Sequence, residues 1–226
     1  MNHVNLMRIM TVFGELVFMI GLGSKSICSK TELNKVAATI IVPMKIAIIV
    51  GSVRNTTTGI QIAQNIQNLL KNRSDITTEI ICVAHYHLPF YTDEASPASR
   101  KVEILDPVLK KWADAVTQTE GFIIVSPEYN GGYPAPLKNA LDSLYQEWNN
   151  KPVAIVGYSG GPSGGTCMIA QLQQVVTRLE MIPVATSIKI PQSWKAFNEY
   201  GDLVALSTIE KELSIMVDEL IKARNK

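Results

Sequence analysis

Residues 45–52 read Lys-Ile-Ala-Ile-Ile-Val-Gly-Ser. The apolar run from Ile46 to Val50 is short and unbroken, which is typical of a strand buried on both faces of a parallel sheet. Gly51 and Ser52 end the run, and beyond the next loop residues 59–71 carry apolar side chains at helical spacing. The stretch therefore predicts the first strand, loop and helix of an α/β domain.

The alternation of strands and helices continues along the chain. Further strands are predicted at residues 77–84, 121–126, 152–157 and 182–190, and further helices at 108–117, from about 134 to 148, from just after 165 to about 180, and at 203–223. Strands that alternate with helices form right-handed βαβ units, which place helices on both faces of a parallel sheet. The predicted fold class is therefore α/β, with a flavodoxin-like, doubly wound five-stranded parallel sheet in the order 2-1-3-4-5.

The composition is that of an ordinary globular protein. Of the 226 residues, 46% are hydrophobic and 18% are charged, which suffices for a hydrophobic core. The formal net charge is +1, and no run of Lys or Arg suggests a surface for nucleic acid. The three cysteines, Cys28, Cys82 and Cys167, are far apart and form no Cys-x-x-Cys pair. Neither a disulfide framework nor a structural zinc site is expected, and a reducing compartment, the cytoplasm, fits this pattern.

The first 43 residues differ from the rest of the chain. The apolar stretch from Met10 to Gly23 is interrupted by Glu15 and by glycines, and it is shorter than the roughly 20 residues of a membrane-spanning helix. We expect residues 1–43 to be an extension outside the fold, or sequence upstream of a start at Met44. A targeting segment or an added structural helix stays open. Residues 44–226 are expected to form the flavodoxin-like domain.

The loop after the first strand has the composition of an anion site. It joins the carboxyl end of a strand to a helix N-terminus, where free N–H groups and the helix dipole favour a negative charge. Four hydroxyl side chains and one guanidinium follow the strand: Ser52, Arg54, Thr56, Thr57 and Thr58. The loop matches neither a Walker A sequence nor a G-x-G-x-x-G fingerprint. It predicts a phosphate ligand, with a capped helix start and a solvated arginine as the alternative.

Two further loops follow predicted strands at the same edge of the sheet. Residues 127–135 read Pro-Glu-Tyr-Asn-Gly-Gly-Tyr-Pro-Ala, and residues 157–165 read Gly-Tyr-Ser-Gly-Gly-Pro-Ser-Gly-Gly. Glycines let a backbone come close to a flat ligand, Asn130 tolerates a left-handed conformation, and Tyr129 and Tyr158 could cover a ring. A merely tight loop and a flexible linker are the alternatives. Their positions at strand ends favour a planar ligand.

The three loops together resemble a known family. Gly51-Ser52-x-Arg54, Pro127-Glu128-Tyr129-Asn130-Gly131 and Gly157-Tyr158-x-Gly160-Gly161 are similar to the flavin loops of the NADPH-dependent FMN reductases, which include quinone, chromate and azo-dye reductases. The resemblance covers about residues 44–190. The Pro-Glu-Tyr-Asn-Gly motif and the Pro-Ala-x-Leu-Lys-Asn-Ala that ends at Ala140 are its most specific part. Many members carry a second arginine where this chain has Thr57. This difference weakens any inference about a preference for NADPH over NADH.

The resemblance implies non-covalently bound FMN and NADPH or NADH as the reductant. It assigns the phosphate to Ser52, Arg54 and the threonines 56–58. The isoalloxazine ring would lie against five residues: Pro127, Glu128, Tyr129, Asn130 and Gly131. The backbone near Asn130 would donate towards N5, and Tyr158 and Gly160 would lie near the pyrimidine side.

The reaction implied is hydride transfer from NAD(P)H to the N5 atom of FMN, followed by two-electron reduction of a quinone-like or other small acceptor. The chemistry then belongs to FMN, so no catalytic side chain is expected. The alternative is a non-enzymatic flavin protein, either a redox sensor or an electron carrier. A net charge of +1 disfavours a carrier, because flavodoxin carriers tend to be strongly acidic.

Other features are expected to have structural roles. His85, His87, Asp93 and Glu94 show no metal-ligand pattern, so no metal is expected. Cys167 is expected as a small residue in a helix first turn, and the tryptophans 112 and 148 as core or subunit contacts. Trp194 could border the site or an interface. The family implies a homodimer or homotetramer, with Leu141, Leu144 and Tyr145 as a possible contact surface.

Overall fold

The computed structural model describes residues 9–12, 15–18, 42–55, 58–100, 104, 106–204 and 206–224. The chain divides into two compact units, Met1–Ile41 and Val42–Lys226. In the first unit, strands Ile9–Val12 and Glu15–Phe18 pair antiparallel, with Ile9 opposite Phe18. Among the described helices, none is long and apolar enough to cross a membrane.

The second unit contains a parallel sheet of five strands. The strands are β1 (Met44–Val50), β2 (Ile76–Cys82), β3 (Gly121–Pro127), β4 (Pro152–Tyr158) and β5 (Ile182–Ile190). Their spatial order is β2-β1-β3-β4-β5. Because β1 lies between β2 and β3, the chain winds outward in both directions from the centre. The predicted doubly wound, flavodoxin-like sheet is confirmed.

Five α-helices connect and cover these strands. They are α1 (Thr58–Leu70), α2 (Pro107–Thr117), α3 (Ala135–Asp142), α4 (Thr166–Arg178) and α5 (Leu206–Arg224). Successive residues of a strand face opposite sides of the sheet, so each central strand contributes side chains to the hydrophobic cores on both faces. Ile48 packs in the core shared with α1 and α5, and Ile49 packs in the core shared with α2, α3 and α4. Helices therefore cover both faces, as predicted.

An aromatic cluster fills the core on the α2–α3–α4 side. The rings of Trp112 and Trp148 are 5.9 Å apart between centroids, and those of Phe122 and Trp148 are 5.1 Å apart, each pair edge to face. All three side chains are fully buried. Both tryptophans are therefore core residues of this chain, one of the two roles that the sequence left open.

Helix α3 ends earlier than the sequence predicted. It stops at Asp142 rather than near Trp148, and two indole groups bind carbonyls of its last turn: Trp112 Nε1 donates to Ala140 O at 2.9 Å, and Trp148 Nε1 donates to Leu141 O at 3.1 Å. Leu141 and Leu144 are both buried within this unit. The expectation that these two leucines offer a subunit contact surface is therefore wrong.

The Trp148 indole gives a test of this helix ending. We expect Trp148→Phe to lower the free energy of unfolding by about 1–3 kcal/mol, because the buried Leu141 carbonyl loses its indole donor and the smaller ring leaves space in the buried aromatic cluster. Trp194→Phe is the matched control, since Trp194 is 74% exposed and its replacement should change stability by less than about 0.5 kcal/mol. Urea unfolding of the full chain, followed by circular dichroism, measures both. Equal stability of the two variants would contradict this account.

Candidate functional site

The three loops singled out in the sequence follow β1, β3 and β4, which are adjacent in the sheet. The carboxyl ends of parallel strands meet at one edge, and ligands bind where the winding direction reverses. In this sheet the reversal lies between β1 and β3. We name the loops by position: the first loop is residues 51–58, the second 128–134 and the third 159–165.

The first loop is held tightly at its start and is exposed further along. Gly51 N–H donates to Val125 O at 2.9 Å, and a Cβ on Gly51 would lie 2.8 Å from Leu137 Cδ2, so any larger residue here would require Leu137 of α3 to shift. Ser52 is buried, and its Oγ accepts from Arg54 N–H at 3.3 Å. The side chain of Arg54 is exposed and Thr58 begins α1. The predicted residues Thr56 and Thr57 lie outside the described residues.

A small cavity adjoins this loop and the start of α1. Its volume is about 170 Å³, and it is lined by Val50, Ser52, Arg54, Gly59, Ile60, Cys82, Ala84 and His85. The guanidinium, the buried hydroxyl and the first turn of α1 give the cavity donors for an anion.

The sequence reasoning missed Cys82, Ala84 and His85 as neighbours of the first loop. They end β2 or follow it directly. Because β2 lies beside β1, its carboxyl end meets the same loop. The strand order 2-1-3-4-5, already predicted from the sequence, contained the signal that would have found them.

The second loop contains a two-residue reverse turn. Tyr129 N–H donates to Gly132 O at 2.8 Å, and Gly132 N–H donates to Tyr129 O at 3.0 Å. Between them Asn130 has a φ of 52° and Gly131 a φ of 82°. Positive φ at both central positions defines a type I′ turn, for which Asn-Gly is the preferred pair. A Cβ on Gly131 would meet no atom within 4 Å, so the tip of the turn borders open space.

Tyr129 connects the second loop to the first. Its hydroxyl lies 3.4 Å from Ser52 Oγ, and the Arg54 guanidinium carbon lies 5.8 Å from the centre of its ring. The second distance is within the range of a cation–π interaction. The structure thus brings Ser52, Arg54 and Tyr129 together, although 77 positions separate Ser52 from Tyr129.

The third loop contains two kinds of glycine. Gly164 and Gly165 have φ values of 60° and 93°, and a Cβ on Gly165 would lie 2.8 Å from Gly157 Cα, so these glycines permit close backbone packing. By contrast, a Cβ on Gly160 or Gly161 would meet no atom within 4 Å. The exposed part of the loop is therefore bare backbone.

The segment after β5 supports the third loop. Gln192 N–H donates to Gly161 O and Ser193 N–H donates to Ser159 O, both at 2.9 Å. Trp194, which follows, is 74% exposed. It therefore adjoins the residues that support the third loop, whereas its role was left open in the sequence.

Tyr158 occupies a different place from the other predicted residues. Its side chain is 6% exposed and belongs to the core shared with α1 and α5. A Cβ on Gly59 would lie 2.8 Å from its hydroxyl oxygen, so the hydroxyl lies under the start of α1. Burial raises the pKa of Tyr158 to about 12. The structure places this side chain beside the first loop rather than beside Gly160.

Pro127 and Glu128 mark the transition from β3 into the second loop. Pro127 is the last residue of the strand and is buried. The Glu128 carboxylate accepts hydrogen bonds from the start of α4. Among the described residues, no group of three or more His, Cys, Asp or Glu side chains could hold a metal ion.

Comparison with known proteins agrees with this geometry. The family described as NADPH-dependent FMN reductase matches residues 44–195. The chain belongs to this family. The NAD(P)H-dependent FMN reductase of Saccharomyces cerevisiae is 33% identical over 189 residues, which cover 79% of this chain and 94% of the relative. The 2-hydroxy-1,4-benzoquinone reductase of a Burkholderia species is 29% identical over 62% of this chain and 73% of the relative.

A solved structure supports the fold. The flavoenzyme NAD(P)H:(acceptor) oxidoreductase from Paracoccus denitrificans superposes with a TM-score of 0.65 at 22% identity, over 80% of this chain and 98% of that chain. Family membership confirms the resemblance seen in the sequence: the chain is an FMN-dependent oxidoreductase with NAD(P)H as co-substrate. The comparisons offer no support for the electron carrier or sensor.

The contact between Gly59 and Tyr158 yields a test of the first loop. We expect Gly59→Ala to raise the dissociation constant for FMN about tenfold or more, because the new Cβ would collide with the Tyr158 hydroxyl and displace the start of α1. Adding Tyr158→Phe removes that hydroxyl and should restore most of the affinity. Quenching of FMN fluorescence measures both variants, with Tyr158→Phe alone as the control. A double variant as weak as Gly59→Ala would contradict this explanation.

Proposed function

We propose that the three loops bind one FMN molecule and that the enzyme reduces a quinone-like or other small acceptor with NAD(P)H. The observation that carries this proposal is the contact of Tyr129 with Ser52 and Arg54. It joins the anion-binding loop to the Asn-Gly turn, so a phosphate site and a flat open surface belong to one crevice. When bound, FMN accepts a hydride from NAD(P)H and passes two electrons to the acceptor.

The first loop is suited to the FMN phosphate. We assign the phosphate to Ser52, Arg54, Thr56, Thr57 and Thr58 together with the free N–H groups of α1. A guanidinium and a helix N-terminus both stabilise a phosphate, and each contributes without a metal ion.

The second and third loops are suited to the ring system. Gly131 and Gly160 border open space, so a planar ligand can lie close to bare backbone. We assign the ring to residues 127–131 and to Gly160. Because the Tyr158 side chain is buried, we assign Tyr158 only a main-chain contribution. These groups would bind and orient the ring. The reaction requires no side chain of this protein as a general acid or base.

A larger cavity beside the first loop supports an apolar acceptor. Its volume is about 440 Å³, and it is lined by Val53, Asn55, Val83, Ala84, His87, Leu88, Phe90, Ala135, Pro136 and Asn139. Most of these side chains are apolar, as in sites for flat, weakly polar ligands. The quinone reductase among the relatives points to the same class of acceptor.

Arg54 gives a selective test of the phosphate assignment. We expect Arg54→Ala to raise the dissociation constant for FMN about 10- to 100-fold, because charge-assisted hydrogen bonds to the phosphate are lost. Riboflavin has the same ring and no phosphate, so its affinity should stay the same. Fluorescence titration with both ligands compares them. An equal loss for riboflavin would show that Arg54 acts on the ring site instead.

An anaerobic spectrum tests the reaction itself. The full chain reconstituted with FMN should show a flavin absorption band that bleaches when NADPH or NADH is added and returns with a quinone. A flavin band that neither nucleotide bleaches would favour the carrier or sensor. Protein that cannot be reconstituted with FMN would overturn the proposal.

We further propose that residues 44–226 form the FMN-binding domain, that the chain works as a homodimer or homotetramer, and that it acts in the cytoplasm. Support for the domain comes from the compact unit Val42–Lys226.

Light scattering of the purified full chain measures the oligomeric state. A monomeric mass at micromolar concentration would contradict the proposal of a homodimer or homotetramer.

A further inference from the structure

The carboxylate of Glu128 connects the second loop to the third. Oε2 accepts from Cys167 N–H at 3.0 Å and from Met168 N–H at 3.2 Å, and Oε1 accepts from Ser163 Oγ at 3.2 Å. The main chain of Glu128 also donates to Tyr158 O at 2.9 Å. All these partners lie on β4 or on the loop and helix that follow it.

Helix α4 needs a cap from elsewhere in the chain. Its N-cap residue is Gly165, which has no side chain to accept from the free amides of the first turn. Gly165 also has little freedom to be replaced, since a Cβ there would lie 2.8 Å from Gly157 Cα. Glu128 supplies the missing acceptor for the second and third amides of the helix, and its negative charge suits the helix N-terminus.

This cap also fixes the spacing of two loops that belong to different strands. Tyr129, Asn130 and Gly131 follow Glu128 directly, and Gly160 and Gly161 lie just before Ser163. Ser163 Oγ is in turn 3.2 Å from Ser159 Oγ, so the connection reaches the start of the third loop. A change in the Glu128 side chain would let the two loops move relative to each other.

We propose that the side chain of Glu128 has a positioning role: through its bonds to Ser163 and to α4 it sets the separation of the two loops that flank the flavin ring, and its carboxylate does not itself contact the flavin. This inference rests on the proposed function. It gives the glutamate of the Pro-Glu-Tyr-Asn-Gly motif a role different from the ring contact implied by the sequence resemblance.

The variants for the test are Glu128→Ala, Glu128→Gln and Asp106→Ala in the full chain. Glutamine keeps an acceptor for both amides and can donate to Ser163 Oγ, so it is the conservative rescue. Asp106 caps a different helix, where its Oδ1 accepts from Leu109 N–H at 2.7 Å, so Asp106→Ala measures the cost of losing a helix cap in general.

We expect Glu128→Ala to raise the dissociation constants for FMN and for riboflavin by the same factor, about tenfold. The factor is the same because the loops at the ring are disturbed and the phosphate site is not. The visible circular dichroism of the bound flavin should change as well. Glu128→Gln should restore affinity to within about threefold of the unaltered chain. Asp106→Ala should lose a similar amount of thermal stability with no change in flavin affinity or dichroism.

Three results would overturn the inference. Binding of flavin by Glu128→Gln as weak as by Glu128→Ala would mean that the hydrogen bonds to Ser163 and α4 do not set the loop separation. Glu128→Ala indistinguishable from Asp106→Ala would reduce Glu128 to a structural cap. An unaltered chain that binds neither FMN nor riboflavin would overturn the proposed function together with this inference. If Glu128→Ala does not fold, Ser163→Ala provides the test. We expect it to lower the affinity for FMN and for riboflavin about threefold, and an unchanged affinity for both would contradict the inference.

Discussion

The hydrogen-bonded pairing of β1 with β3 is the constraint on which the rest of the site depends. It runs from Ile46 opposite Gly121 to Val50 opposite Val125, and it continues as Gly51 N–H donates to Val125 O. Because these two strands lead to helices on opposite faces of the sheet, their loops diverge and leave a crevice between them. The first and second loops start at this crevice, so a shift in this register would separate the residues proposed to bind the phosphate from those proposed to bind the ring.

The glycines of the site fall into two separate groups, one packed closely against other backbone and side-chain atoms and one bordering open space. A Cβ added to Gly51, Gly157 or Gly165 would have a neighbour closer than 3.0 Å, whereas one added to Gly131 or Gly160 would have none within 4 Å. The first group lets strands, loops and helices approach closely, and the second leaves surface for a flat ligand. A glycine-rich motif therefore combines two physical requirements, and only the second concerns the proposed cofactor site.

Hydrogen bonds between side chains and the main chain contribute to how the helices end and how the loops are spaced. The indoles of Trp112 and Trp148 terminate α3 by donating to Ala140 and Leu141, and Glu128 begins α4 by accepting from Cys167 and Met168. Trp112 and Glu128 lie in other parts of the chain from the helix ends that they contact, whereas Trp148 is seven positions from Leu141. Such partners satisfy terminal backbone groups that the helix itself leaves unpaired.

The sequence alone determined the fold class, the strand order and the edge where the ligand loops meet. Strands buried on both faces appear as short unbroken apolar runs, and amphipathic helices appear as a periodicity of 3.6 residues. Both patterns are visible along the chain without any knowledge of contacts. The three loop motifs likewise carried the family and its cofactor. Tertiary structure decided the end of α3, the burial of Leu141 and Leu144, the direction of Tyr158 and the partners of Glu128. All four features depend on which atoms the packing of the whole domain brings into contact. The local pattern of apolar residues contains no information about those contacts.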